Sequence, residues 1–173
     1  MIPAAGWTPK SEAELQAGIK ECLQLSSDCD KGPHGPIGSW DMSAVKDMAA
    51  LFNNAVIPGM SNFTGDISRW DVSGVTDMQY IFASASLFNG GLSKWDVSRV
   101  TNMEEMFVST ALFNSDLSKW DVSSVSNMGF MFCESKSFNG DVSTWDVSSV
   151  TTMQAMFSSA SSFNGDLSKW DLS

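Results

Sequence analysis

The chain is poor in the residues on which enzymes and nucleic-acid binders rely. Of its 173 residues only 17% are Asp, Glu, Lys or Arg, with one histidine (His34), one tyrosine (Tyr80) and three cysteines. A single imidazole excludes a histidine pair, a histidine-based zinc cluster and a repeated acid–base dyad. Ten basic residues stand against twenty acidic ones, for a formal charge of −10. That balance argues against nucleic acid or an anionic membrane surface as partner, since both need clustered Lys and Arg. No run approaches the ~20 apolar residues of a membrane span. The opening MIPAAGWTP also lacks the basic start and long apolar stretch of a signal peptide. There is no G-x-S-x-G, phosphate-binding loop or dinucleotide fingerprint, so neither an enzyme nor a cofactor is expected.

Three cysteines are too few for a disulfide-dense scaffold. Cys22 and Cys29, with six residues between them, could pair and leave Cys133 free. Cys133 has no base beside it and reads as an idle thiol. His34, in Gly-Pro-His-Gly-Pro, reads as an exposed loop residue.

What the chain has in quantity is repetition. SKWDVS occurs at 93–98 and again at 118–123, and Trp-Asp recurs at Trp40, Trp70, Trp95, Trp120, Trp145 and Trp170, one interval of 30 followed by four of 25. The longer interval places five extra residues within Asn53 to Asn62. A fixed period of 25 is the mark of stacked units that share one core, and it is too short for a four-stranded propeller blade. Within a unit, L-x-x-W-x-V predicts a short strand with Trp120 and Val122 inward and Lys119, Asp121 and Ser123 outward. V-x-x-M-x-x-M-F predicts a short helix behind Ser123 and Ser124 as N-cap. Asn-Gly after Phe88, Phe138 and Phe163 predicts a tight bend with positive φ. The expected fold is an α/β repeat solenoid of leucine-rich-repeat type, with a parallel sheet of about six short strands and one helix per coil. The Met and Phe columns, such as Met103, Met106, Phe107, Met128, Met131 and Phe132, are read as core and not as a sulfur-rich metal site.

Residues 1–39 read as an N-terminal cap. Ser11-Glu-Ala-Glu14 is a capping box, and Leu15, Ile19, Cys22 and Leu23 share one helical face. Residues 40–173 form the repeat segment, with strand phrases at 40, 70, 95, 120, 145 and 170. The sixth phrase stops at Ser173 before its helix, so either the array continues beyond Ser173 or a partner meets its open edge at Trp170.

The pattern FNGDLSKWDVSSVSNM with M-x-x-M-F, over Gly38 to Ser173, closely resembles the BspA-like repeat surface proteins, whose 25-residue repeat is of mycoplasma type and expanded in algae and protists. KECLQLSSDCDKGPHGPIGSWDMS resembles the cap that precedes such arrays in algal proteins. Gly91, Ser115 and Thr64 depart from the pattern. The resemblance implies a leucine-rich-repeat-like solenoid, adhesion or protein interaction at a surface, and no catalytic residues. It implies an extracellular or cell-surface location, with an organellar lumen or membrane periphery as the alternative.

The expected partner is a protein, bound by the outward face carrying Lys94, Asp96, Ser98, Lys119, Asp121, Ser123, Asp146 and Ser148, with Tyr80, Phe130 and Trp170 as further contacts. Tyr80 and Phe130 either meet that partner or pack on the neighbouring coil. The column containing Asp96, Asp121 and Asp146 would bring like charges about 4.8 Å apart on adjacent strands. Ca²⁺ would relieve this, and so would serine hydroxyls, backbone amides or the flanking lysines. Asn62-Phe-Thr64 is the one N-glycosylation sequon. The alternative function is a structural or peripheral subunit of a larger assembly, edge to edge with a neighbour.

Overall fold

The computed structural model describes residues 6–171; the first five and last two residues of the expected cap and sixth phrase lie outside them. One α-helix, α1 (Glu12–Leu23), opens the fold. Ser11 caps it by accepting the Glu14 amide at 3.2 Å, satisfying a donor that the first turn leaves without a partner, and Glu14 reaches back to accept from the Lys10 amide just before the cap at 2.8 Å. Leu15, Ile19 and Cys22 face inward. At Gly18 a β-carbon would come within 2.7 Å of the Trp7 ring and 3.3 Å of Trp40, so this glycine lets α1 lie directly on the tryptophans that begin the core. A Cys22–Cys29 disulfide ties the end of α1 to the following loop.

The expected leucine-rich-repeat solenoid is not formed. Beyond α1, the described residues contain two 3-10 turns, Ile37–Ser39 and Met60–Asn62, and isolated parallel bridges at Asp47–Asp77, Asp77–Asn102, Asn102–Asn127 and Asn127–Thr152. No strand and no repeat helix occurs among them. Each repeat is a succession of turns.

The backbone explains both corrections. The L-x-x-W phrase closes on itself, with the Trp120 amide donating to Leu117 at 3.1 Å and Val125 to Val122 at 2.9 Å. Those amides are therefore not available to a sheet. Along V-x-x-M-x-x-M-F, Phe130 (φ 55°) and Glu134 (φ 60°) are left-handed, as are Tyr80 and Ser84, Glu105 and Ser109, and Ala155 and Ser159 in other repeats, and such residues end any right-handed helix. Alternate amides then take two routes. Met131, Cys133 and Ser135 donate back to Met128, Phe130 and Phe132, at 3.3, 3.0 and 3.1 Å. Met128, Phe130, Phe132 and Glu134 donate across to Thr152, Gln154, Met156 and Ser158, at 2.7 to 2.9 Å. The segment expected to be helical is thus the seam where repeats bond to one another, and its amides are satisfied as burial demands.

The interior is aromatic. Phe52, Phe82, Phe107, Phe132 and Phe157 stack at 5.3 to 5.5 Å between centroids. Phe63, Phe88, Phe113, Phe138 and Phe163 form a second column at 5.9 to 6.2 Å. Within repeats the two columns meet at 3.9 to 4.7 Å, closest in pairs such as Phe107 and Phe113. Each such pair adds about 0.5–1.5 kcal/mol beyond its burial. Met103, Met106, Met128 and Met131 are fully buried among them.

The Asn-Gly bends also differ from expectation: the positive-φ glycines are Gly35 and Gly59, not those that follow Phe-Asn. A β-carbon at Gly90 would lie 2.8 Å from the Phe88 ring, whereas the repeat of Phe113 carries Ser115 at the same position, its hydroxyl donating to the Gly90 carbonyl at 2.6 Å. Asparagine instead builds a ladder. The carboxamide oxygens of Asn89, Asn114 and Asn139 accept the amides of Asn114, Asn139 and Asn164 in the next repeat, at 2.8 to 2.9 Å.

Candidate interaction surface

The Trp-Asp phrase divides into a buried half and an exposed half. Trp95, Trp120 and Trp145 are almost wholly buried, and each indole N–H donates to a carbonyl of the preceding repeat: Ile67 at 3.1 Å, Leu92 at 3.0 Å and Leu117 at 3.1 Å. A buried Trp needs such a partner; here that need links one repeat to the next. Val97, Val122 and Val147 are buried beside them.

Lys94, Lys119, Asp96, Asp121, Asp146 and Ser148 are exposed, with Ser98 and Ser123 partly so. The 25-residue register places them in parallel columns along one ridge. Asp96 accepts from the amide and hydroxyl of Ser98 at 3.1 and 2.7 Å. Asp121 does so from Ser123 at 3.1 and 2.6 Å, and Asp146 from Ser148 at the same distances. The hydroxyl bonds are the main reason that Asp71, Asp121 and Asp146 are held below the ordinary carboxylate value, outweighing the opposing charge of the next Asp in the column. These carboxylates are ionised and fixed by their own turns. No group of three or more His, Cys, Asp or Glu among the described residues is placed to hold a metal ion; Asp96, Asp121 and Asp146 each accept bonds within a turn of their own.

The other sequence candidates scatter. Tyr80 (φ 57°) and Phe130 (φ 55°) sit at left-handed corners, not on a helix surface, with Glu105 between them in the column and both half-buried. Burial, then the Glu105 and Glu104 carboxylates, raises the Tyr80 hydroxyl above its ordinary value. Trp170 is half-buried beside Met153, Phe157 and Leu167 around an open apolar cleft of about 380 Å³. Cys133 is half-buried, and burial followed by the Glu134 charge raises its thiol, which makes it a poor nucleophile. Asn62 is exposed at the end of the Met60–Asn62 turn.

His34 is half-buried and not the exposed loop residue expected. Its ring stacks on Trp7 at 3.9 Å and meets the edge of Trp40 at 6.2 Å, with Glu21 3.8 Å from its Nε2. Trp7 lies outside the repeat, and no sequence spacing linked the two. Exposed Leu87 and Leu112, one repeat apart, were also missed. Their signal was a two-residue apolar variation in a column otherwise polar, with Ser137 and Ser162. Near the cap, Asp28, Asp30, Asp66 and Arg69 line a second cleft. Asp28 and Asp66 are engaged by the amides of Asp30 and Ser68 at 3.1 and 3.0 Å, and Asp66 lies below the ordinary value because of the bonds from Ser68. A general acid needs the opposite shift.

No helix among the described residues is long and apolar enough to cross a membrane. Comparison with curated proteins and with solved structures returns no match to the chain. The repeat that builds the ridge is nevertheless what a family model matches, at residues 20–128 and again at 88–173, and the chain belongs to that family, described as Mycoplasma protein of unknown function, DUF285.

Proposed function

We propose that this chain is a non-catalytic protein-interaction or adhesion module of the BspA-like kind, binding through the Lys–Asp–Ser ridge. The observation that carries the reading is the preorganised array itself. Carboxylates fixed by Ser98, Ser123 and Ser148 alternate with exposed Lys94 and Lys119. Adjacent repeats are bonded through indoles, carboxamides and backbone, so a protein partner would meet many polar groups that lose little freedom on binding. The Cys22–Cys29 bridge supports an extracellular or cell-surface location, since such bonds persist in oxidising compartments, an organellar lumen among them.

The test is adherence of beads coated with the chain to a panel of immobilised cell-surface proteins, compared with beads carrying K94E/K119E. The variant should melt with the parent and lose at least tenfold in adherence. Equal adherence of the two would exclude the ridge.

The alternative is a structural or peripheral subunit of a larger assembly, which would appear as co-purification of the native protein with a partner at fixed stoichiometry; a monodisperse monomer of the native protein would count against it.

A further inference from the structure

We infer that Asn62 carries an N-linked glycan, and that this glycan stands at the head of an exposed leucine ledge formed by Leu87 and Leu112. The reading is independent of the ridge and of what the ridge binds.

The five-residue insertion makes this site. Asn54 Oδ1 accepts the amides of Gly59 and Ser61 at 3.2 and 3.0 Å, and Gly59 turns the chain at φ 102°, a conformation costly for residues with a β-carbon. The Met60–Asn62 turn follows and delivers Phe63 into the core, where it stacks on Phe52 at 4.7 Å and Phe88 at 5.9 Å. With Phe63 anchored inward, its neighbours Asn62 and Thr64 are both exposed. Both side chains that the sequon requires are therefore on the surface.

The Asn62 carboxamide differs from its counterparts. Those of Asn53, Asn54, Asn89, Asn114 and Asn139 each accept a backbone amide, so they hold the fold and are occupied. Asn62 makes no side-chain hydrogen bond among the described residues, and glycosylation there displaces nothing. The Cys22–Cys29 disulfide is the second observation, because protein disulfides and N-linked glycans are acquired in the same oxidising secretory compartment. Asn62 also lies on the rim of a cleft of about 520 Å³ between the end of α1 and the insertion, with Leu23, Ile57 and Pro58 among its lining, which leaves space for the first sugars.

The repeat register fixes what the glycan stands beside. Leu87 donates its amide to Ser61 at 3.1 Å, and Leu112 donates to Ser86 at 3.2 Å. Asn62, Leu87 and Leu112 are thus successive members of one column, and the two leucines are 44% and 49% exposed. A sugar on Asn62 would shield this apolar pair from other chains.

In the transfer, Asn62 Nδ2 bonds to the anomeric carbon of an N-acetylglucosamine while the bond from that carbon to the pyrophosphate of a lipid-linked oligosaccharide breaks. The lipid pyrophosphate leaves, and the Nδ2 proton passes to the transferase.

The experiment is secretion of the chain through a eukaryotic secretory pathway, followed by digestion with an asparagine-linked-glycan amidase and mass analysis of the Asn62 peptide. The parent and T64S, which keeps the sequon, should carry one amidase-sensitive glycan; N62Q and T64A should carry none and show increased self-association by light scattering. Should T64A fail to be secreted, N62Q decides. An unmodified Asn62 in disulfide-bonded parent, or a glycan that persists in N62Q, overturns the proposal. A glycan present at Asn62 without any change in self-association in N62Q overturns the shielding of the ledge.

Discussion

A single indole nitrogen in each repeat does what the rest of a tryptophan ring cannot. The Leu92 carbonyl accepts both the Trp95 amide and the Trp120 indole, each at 3.0 Å, so one acceptor joins a turn within a repeat to the side chain of the next. Replacing Trp120 by Phe keeps an aromatic ring in the core but removes that donor and some volume. The lost bond costs about 1 kcal/mol, and the residual cavity raises the total to roughly 2–3 kcal/mol. We expect a lower urea midpoint for W120F at unchanged slope, and a smaller loss for W170F, whose ring is half-exposed. Equal losses would show that the ring, and not burial of its bond, governs the cost. At this scale the sequence was legible. Trp120 and Val122 were expected to point inward and do so, because the sidedness of a side chain survives a mistaken choice of element.

Element type was harder to read, and the reason is geometric. Consecutive three-residue turns place apolar residues at i, i+3 and i+6, as in Val125, Met128 and Met131, and this overlaps the i, i+3 spacing of a helix. The discriminating information was backbone handedness, which Ala, Tyr, Glu and Phe do not announce. Ala50, Tyr80, Glu105, Phe130 and Ala155 all hold φ between 51° and 57°, at a cost of about 1–2 kcal/mol each relative to right-handed backbone. Glycine relieves that cost but loses about 0.5–1 kcal/mol through its freer unfolded chain. A155G should therefore stabilise by about 0.5–1 kcal/mol and A155V should destabilise, as read from thermal midpoints. If A155V proves neutral, the left-handed corner is wrong. Opening the Cys22–Cys29 bridge tests the cap in the same way. Loop-closure entropy over so short a loop gives about 2.5 kcal/mol. C22S/C29S should lower the melting midpoint by that equivalent, and reductant should lower the parent's midpoint but not the variant's. The pairing itself was left open by the sequence, since spacing does not show where an α-helix will bring its last turn.

Across the whole molecule the ridge sets two electrostatic effects against each other. Stacking brings Asp121 against Asp146, and Asp71 against Asp41, and each neighbour's charge favours protonation. The serine bonds oppose this. Asp71, Asp121 and Asp146 all lie below the ordinary 3.8, with the side-chain bond from Ser73, Ser123 or Ser148 as the first cause. A carboxylate whose folded value is depressed contributes stability that is fully present above its unfolded value and is lost as pH falls through the folded one. The thermal midpoint should therefore be level from neutral pH to about 5, where the unfolded carboxylates are still ionised, and decline below about 4. The groups are exposed, so each decrement is small and screened; the decline is their sum along the stack. Replacing Ser73, Ser123 and Ser148 together by Ala should make the acid decline shallower, because the repulsion remains while the hydroxyl bonds are gone and only the amide bonds still oppose it. A parent midpoint that climbs between pH 5 and 3 would mean that repulsion within the Asp column wins. The ridge would then be strained at neutral pH, and a cation or a basic protein partner would relieve that strain.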